Sequence, residues 1–207
     1  MIFVLTALMG YLCGSIATAV WVSKVFYNKD VRLFGSGNAG ATNVFRVLGW
    51  KPALVVTIVD IAKGALPTYL AARLFVDQIQ EPLVLQILAG SCAVAGHCWT
   101  IFAGFRGGKG VATGAGMMLV LYPVAVPLCI VVFALVVWKT RYVSLGSLCA
   151  ATTLPLTLAL RMVLTDQPLN WPLLWLAFAL LPFVGFTHRQ NIQRLVRGTE
   201  NKIGSTR

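Results

Sequence analysis

The chain has 207 residues, 58% of them hydrophobic and only 11% charged, with a net charge of +11. A soluble domain of this size carries roughly a quarter charged residues, so the composition excludes an ordinary soluble fold and points to a membrane. The cations fall in short clusters between long apolar runs, a distribution that argues against a nucleic-acid-binding surface.

The apolar runs cover about 2–23, 52–76, 82–105, 110–138, 143–164 and 169–187. Each is near or above the roughly 20 residues a helix needs to cross the hydrocarbon layer. No polar stretch is long enough for a separate soluble unit, so one membrane domain is expected over 1–207. The first run lacks a basic leader and reads as a retained helix, not a signal peptide. All the basic residues except Lys63, Arg73 and Arg161 fall in four connecting segments, which the positive-inside rule assigns to the cytoplasm. The two other connections, around Asp77/Glu81 and Asp166, lean acidic, as external turns should. Segment 110–138 must then enter and leave on the cytoplasmic side, with Pro123 and Pro127 supplying the break. Its two arms of about 13 residues reach about 20 Å each, a short hairpin. The expectation is an all-α polytopic protein of about seven membrane helices, N-terminus outside and C-terminus cytoplasmic.

After the first run comes "GSGNAGATNVFR", residues 35–46. Gly35, Gly37 and Gly40 spell the dinucleotide-binding pattern, but no βαβ unit surrounds them, so a nucleotide site is rejected. These glycines still let backbone N–H groups approach an anion, and Ser36 and Asn38 add side-chain donors. Ala41, Val44, Phe45 and Leu48 then repeat at helical spacing, predicting an amphipathic helix with Asn38, Thr42 and Arg46 on an adjoining face. Gly49 and Trp50 suit a helix stop at the lipid interface. Within the second run, Asp60 and Lys63 are i, i+3 neighbours and read as a structural pair neutralised in the bundle interior.

The next cytoplasmic segment is "GHCWTIFAGFRGGKGVATG", residues 96–114. Ala103 and Gly110 break the P-loop pattern. What remains is Gly107, Gly108 and Lys109 ahead of the next helix, where N–H groups, the positive dipole end and an ammonium favour an anion. His97 reads as a packing or helix-ending residue. In "KTRYVSLGS", Arg141, Ser144 and Ser147 share one helical face, although a plain stop-transfer anchor explains Lys139 and Arg141 equally well. In "HRQNIQRLVRGTENKI", His188 and Asn191 face one direction, Ile192, Leu195 and Val196 another, and Gly198 suits a helix stop. A basic tail held to anionic lipid explains the arginines but not the His188/Asn191 pair. The five cysteines lie in apolar runs without metal or redox spacing and read as packing residues. Two isolated histidines make no metal site, and no cofactor is called for. The ligand should be anionic and cytosolic, with more than one phosphate group in total.

These four motifs, with "DIAKG" at 60–64, resemble the bacterial acyl-phosphate:glycerol-3-phosphate acyltransferases from the first helix to the tail, in motif order and spacing. The resemblance implies transfer of a fatty acyl group from acyl phosphate to the 1-hydroxyl of glycerol 3-phosphate, giving lysophosphatidic acid and inorganic phosphate for phospholipid synthesis. It implies a seven-helix, multi-pass protein of the bacterial cytoplasmic (inner) membrane with its active site on the cytoplasmic face. Carried over by position, Ser36, Arg46 and Lys109 would hold phosphate and His188 would serve catalysis. Gly35, Gly37, Asn38, Thr42, Asn43, Gly107, Gly108, Ser144 and Asn191 would line the substrate site, with Glu200 as a structural partner. The H-x-x-x-x-D dyad of other glycerolipid acyltransferases is absent, since His97 is followed at that spacing by Phe102 and His188 by Gln193. An acyl phosphate carries a good leaving group, so positioning and charge stabilisation can supply most of the rate. The proton acceptor stays open between His188 and a substrate phosphate oxygen. A small-anion transporter is the alternative that the interrupted segment 110–138 suggests, but the polar residues cluster at one face and no internal repeat supports it.

Overall fold

The computed structural model describes residues 1–74, 81–165 and 170–204. The expected acidic turns at Asp77 and Asp166 lie outside the described residues. Among these described residues, ten α-helices follow in order: α1 Ile2–Gly14, α2 Thr18–Tyr27, α3 Ala41–Leu48, α4 Trp50–Leu74, α5 Pro82–Cys98, α6 Val111–Leu121, α7 Ala125–Thr140, α8 Val143–Thr165, α9 Trp171–Thr187 and α10 Arg189–Val196. Among the described residues there is no strand. The chain divides into two compact units, Met1–Leu121 and Tyr122–Arg207.

In the first unit, the opening apolar run is not the single helix its composition predicts. It breaks at Ser15–Ala17 between α1 and α2, although the whole stretch Ile2–Tyr27 is apolar enough to span a membrane. No proline causes the break. Side chains from elsewhere in the unit take the carbonyls it releases: Thr100 Oγ1, in the loop after α5, donates to Ser15 O, and Lys63 Nζ of α4 donates to Ile16 O at 2.8 Å. In an apolar medium these partners stand in for water, so an interrupted ladder is tolerated. Helix α1 lies closely on α5 because Gly10 and Gly14 face Ala89 and Ala93, and a Cβ on either glycine would run into the opposing carbonyl. Lipid gives no hydrophobic drive to such a contact; close backbone approach and dispersion hold it. A separate apolar cluster of Val20, Val31, Ala39, Val44, Ala53 and Val56 packs α2, α3 and α4 around the first glycine loop.

The expected break in segment 110–138 is present. Helix α6 ends at Leu121 and α7 begins at Ala125, with Pro123 in the gap and Pro127 in the first turn of α7, where its missing N–H leaves no bond unmade. At about 1.5 Å per residue, 11 and 16 residues reach about 16 and 24 Å, short of a roughly 30 Å hydrocarbon layer. In the second unit, α7, α8 and α9 pack in sequence and α10 turns away from α9 by 66°. Among the described residues, four stretches are long and apolar enough to cross a membrane, or five if the bent α9–α10 pair counts as one span.

Candidate active site

The first glycine loop is built around one side chain. Asn43, on the first turns of α3, is 1% exposed. Its Nδ2 donates to the carbonyls of Val31 at 2.9 Å and Phe34 at 3.1 Å, while its Oδ1 accepts from the Ser36 N–H at 2.8 Å. Gly35 and Gly37 have φ of +60° and +70°, and a Cβ on Gly35 would strike Asn43 Oδ1. The glycines thus let the loop wrap an asparagine. Both donors of the Asn43 amide are engaged inside the loop, so this side chain sets the loop's shape. Ser36, Thr42 and Arg46 remain half-buried, and Gly35 and Gly37 are exposed.

A buttress missed in the sequence holds this loop. Asp30 caps the turn Val31–Leu33 and pairs with Arg32, Nε to Oδ1 at 3.0 Å and Nη2 to Oδ2 at 2.8 Å, with Lys24 Nζ at 3.2 Å from Oδ2. The Arg32 hydrogen bonds hold the Asp30 carboxyl well below the usual carboxylate range. Arg32 Nη1 also donates to the Ala103 carbonyl at 2.8 Å, tying the first motif to the second. The one available signal was an acid two residues before an arginine.

The diglycine is anchored through its own backbone. Gly107 N–H donates to Cys98 O at 3.1 Å and Gly108 N–H to His97 O at 3.0 Å, so these two amides close onto the end of α5. The glycines permit this close approach, since a Cβ on Gly107 would meet the His97 carbonyl. Lys109 follows, half-buried, two residues before α6 begins. The expected pairing of Asp60 and Lys63 is present at 2.9 Å, and His97 lies beside it.

In the second unit, Glu200 gathers the third and fourth motifs. Its Oε1 accepts from Ser144 Oγ at 2.9 Å and Asn191 Nδ2 at 2.6 Å, and its Oε2 from Arg194 Nε at 2.7 Å. Burial pushes this carboxyl up, but the hydrogen bonds from Arg194, Asn191 and Ser144 outweigh it and hold the carboxyl below its ordinary value. The expected helix stop is also present: Gly198 takes φ +68° and Thr199 N–H reaches back to Arg194 O at 2.8 Å. His188 sits at the α9–α10 bend, 2% exposed, with Nδ1 2.9 Å from the Val184 carbonyl. A carbonyl only accepts, so Nδ1 is the donor in this contact, and in the neutral tautomer that makes it the acceptor lone pair lies on Nε2.

A family model described as "Glycerol-3-phosphate acyltransferase" matches residues 4–198. The chain is 42% identical over 223 residues to a glycerol-3-phosphate acyltransferase of Chlorobaculum tepidum, covering 97% of this chain and 96% of that one. It is 40% identical over 221 residues to the like-named protein of Chlorobium luteolum, covering 94% of each. Among solved structures, it resembles PlsY (YgiH), an integral membrane glycerol 3-phosphate acyltransferase, in its glycerol 3-phosphate form, with TM-score 0.86 and 32% identity over 98% of this chain and 96% of that one. The lysophosphatidic acid form matches with TM-score 0.81 and 33% identity, covering 98% of this chain and 95% of that one.

Proposed function

We propose a mechanism from the premise that the chain belongs to the glycerol-3-phosphate acyltransferase family. It is a membrane-integral acyltransferase of phospholipid synthesis that acylates glycerol 3-phosphate. The donor is acyl phosphate, and the products are lysophosphatidic acid and inorganic phosphate. The 1-hydroxyl oxygen attacks the acyl carbon, the new ester C–O bond forms, and the acyl–phosphate C–O bond breaks with its electron pair leaving on phosphate. His188 takes the hydroxyl proton at Nε2. Ser36, Arg46 and Lys109 hold phosphate charge and Thr42 adds a polar contact, while Ser144 and Asn191 serve as the donors that hold Glu200. The residues of 1–207 serve this one reaction as a single acyltransferase domain.

The observation that carries the proton assignment is the bond from His188 Nδ1 to the Val184 carbonyl, which presents Nε2 as an acceptor. A mixed anhydride needs little leaving-group help, so a neutral imidazole and fixed cations suffice. The site belongs on the cytoplasmic face of the bacterial inner membrane, with seven helices in the bilayer and the N-terminus outside.

Purified protein supplied with glycerol 3-phosphate should release phosphate and lysophosphatidic acid from acyl phosphate and turn over acyl-CoA poorly. Comparable rates with the two donors would remove the donor assignment.

A further inference from the structure

Beneath the diglycine lies a charged cluster that the proposed reaction does not use. Asp60, Lys63 and His97 are 2%, 4% and 5% exposed, all inside the first unit. Lys63 Nζ is 2.9 Å from Asp60 Oδ1 and donates to Ile16 O at 2.8 Å, the carbonyl freed where the first span breaks. His97 Nδ1 lies 3.7 Å from the same Asp60 oxygen. The opposite edge of the ring lies against the loop. A Cβ on Gly108 would strike His97 Nε2 and come within 3.0 Å of both His97 Cε1 and the Ala39 carbonyl. Gly108 is therefore held between the histidine ring and the backbone of the first glycine motif.

We propose that His97, seated on the Asp60–Lys63 pair, is a positioning residue that sets the height and tilt of the Gly107–Gly108–Lys109 loop for its phosphate. This rests on the reading that Lys109 holds substrate phosphate. The ion pair cancels its own charge and fixes one ring edge. The ring has few rotamers and a flat face, so its far edge becomes a rigid stop for the loop backbone. Two backbone hydrogen bonds from the loop to the end of α5 clamp the diglycine onto that stop. A ligand site must be held within a fraction of an ångström, and buried supports of this kind do the holding. A histidine that only filled volume would affect folding and nothing else. A positioning histidine couples to Gly108.

The test is a double-mutant cycle on His97→Ala and Gly108→Ala, with KM for each phosphate-bearing substrate and kcat measured separately. His97→Ala should raise KM for at least one substrate about tenfold, with kcat falling less than KM rises. Gly108→Ala should raise the same KM, and the double variant should lie within about threefold of His97→Ala alone, because removing the ring makes room for the Cβ. His97→Phe keeps the ring volume, so Gly108→Ala should retain its full effect in that background; this arm serves even where His97→Ala yields no folded protein. Multiplying losses in the His97→Ala double variant, or unchanged KM values in His97→Ala, would overturn the proposal. Turnover by the unsubstituted protein in the same preparations tests the acyltransferase reading on its own.

Discussion

Lys109 stands just before the first turn of α6, where unpaired N–H groups and the helix dipole add to its ammonium. Lys109→Ala should cost roughly 2–4 kcal/mol of transition-state stabilisation, about 30- to 1,000-fold in kcat/KM. Lys109→Arg should recover only part, because a planar fork replaces a point charge beside two glycines. His188→Gln is the contrast in the same assay. With His188 as the base, kcat falls, KM stays nearly constant and the acidic limb of the pH profile disappears. With a substrate phosphate as the base, donor binding weakens and the limb persists. The residue types at these positions were readable in the sequence; which way they turn was not always so. Asn43 reads as one more polar group beside a glycine loop, and only the fold shows its amide closing on Val31, Phe34 and Ser36. His97 likewise looks like an ordinary helix end until Asp60 and Gly108 are brought against it from distant parts of the chain.

At the level of elements, apolar periodicity and proline placement located most helices, and they located the α6/α7 break. They did not locate the break between α1 and α2, because no proline marks it and the side chains that take its carbonyls, Lys63 and Thr100, lie far along the chain. Glu200 is the corresponding device in the second unit, tying the start of α8 to α10 and the tail. Its carboxyl is depressed in the folded protein, so the ionised form favours the docked tail above the unfolded value of about 4.3. That contribution is lost as pH falls through the lower folded value. Proteolysis of the tail, followed against pH, should therefore accelerate below about pH 4.3. Glu200→Gln should proteolyse faster at neutral pH and lose this step, since its amide places a donor among donors. A tail equally resistant in both proteins would deny Glu200 this anchoring role.

For the molecule as a whole, charge bias gives an orientation that helix geometry alone does not. In a background without the native cysteines, Phe34→Cys, Phe105→Cys, Thr140→Cys and Asn201→Cys should react with an impermeant thiol reagent only from the cytoplasmic side. Glu81→Cys should react only from outside. Labelling of Phe105→Cys and Thr140→Cys from opposite sides would contradict the expected return of segment 110–138 to the cytoplasmic side.

Direct acyl transfer at this site is tested most closely by a single turnover with acyl phosphate and excess enzyme. Phosphate and lysophosphatidic acid should appear together at the same rate and in equal amounts, and omitting glycerol 3-phosphate should suppress phosphate release. A burst of phosphate ahead of lysophosphatidic acid, or phosphate release without the acceptor at the rate of turnover, would show an acyl group parked on the protein and contradict the mechanism.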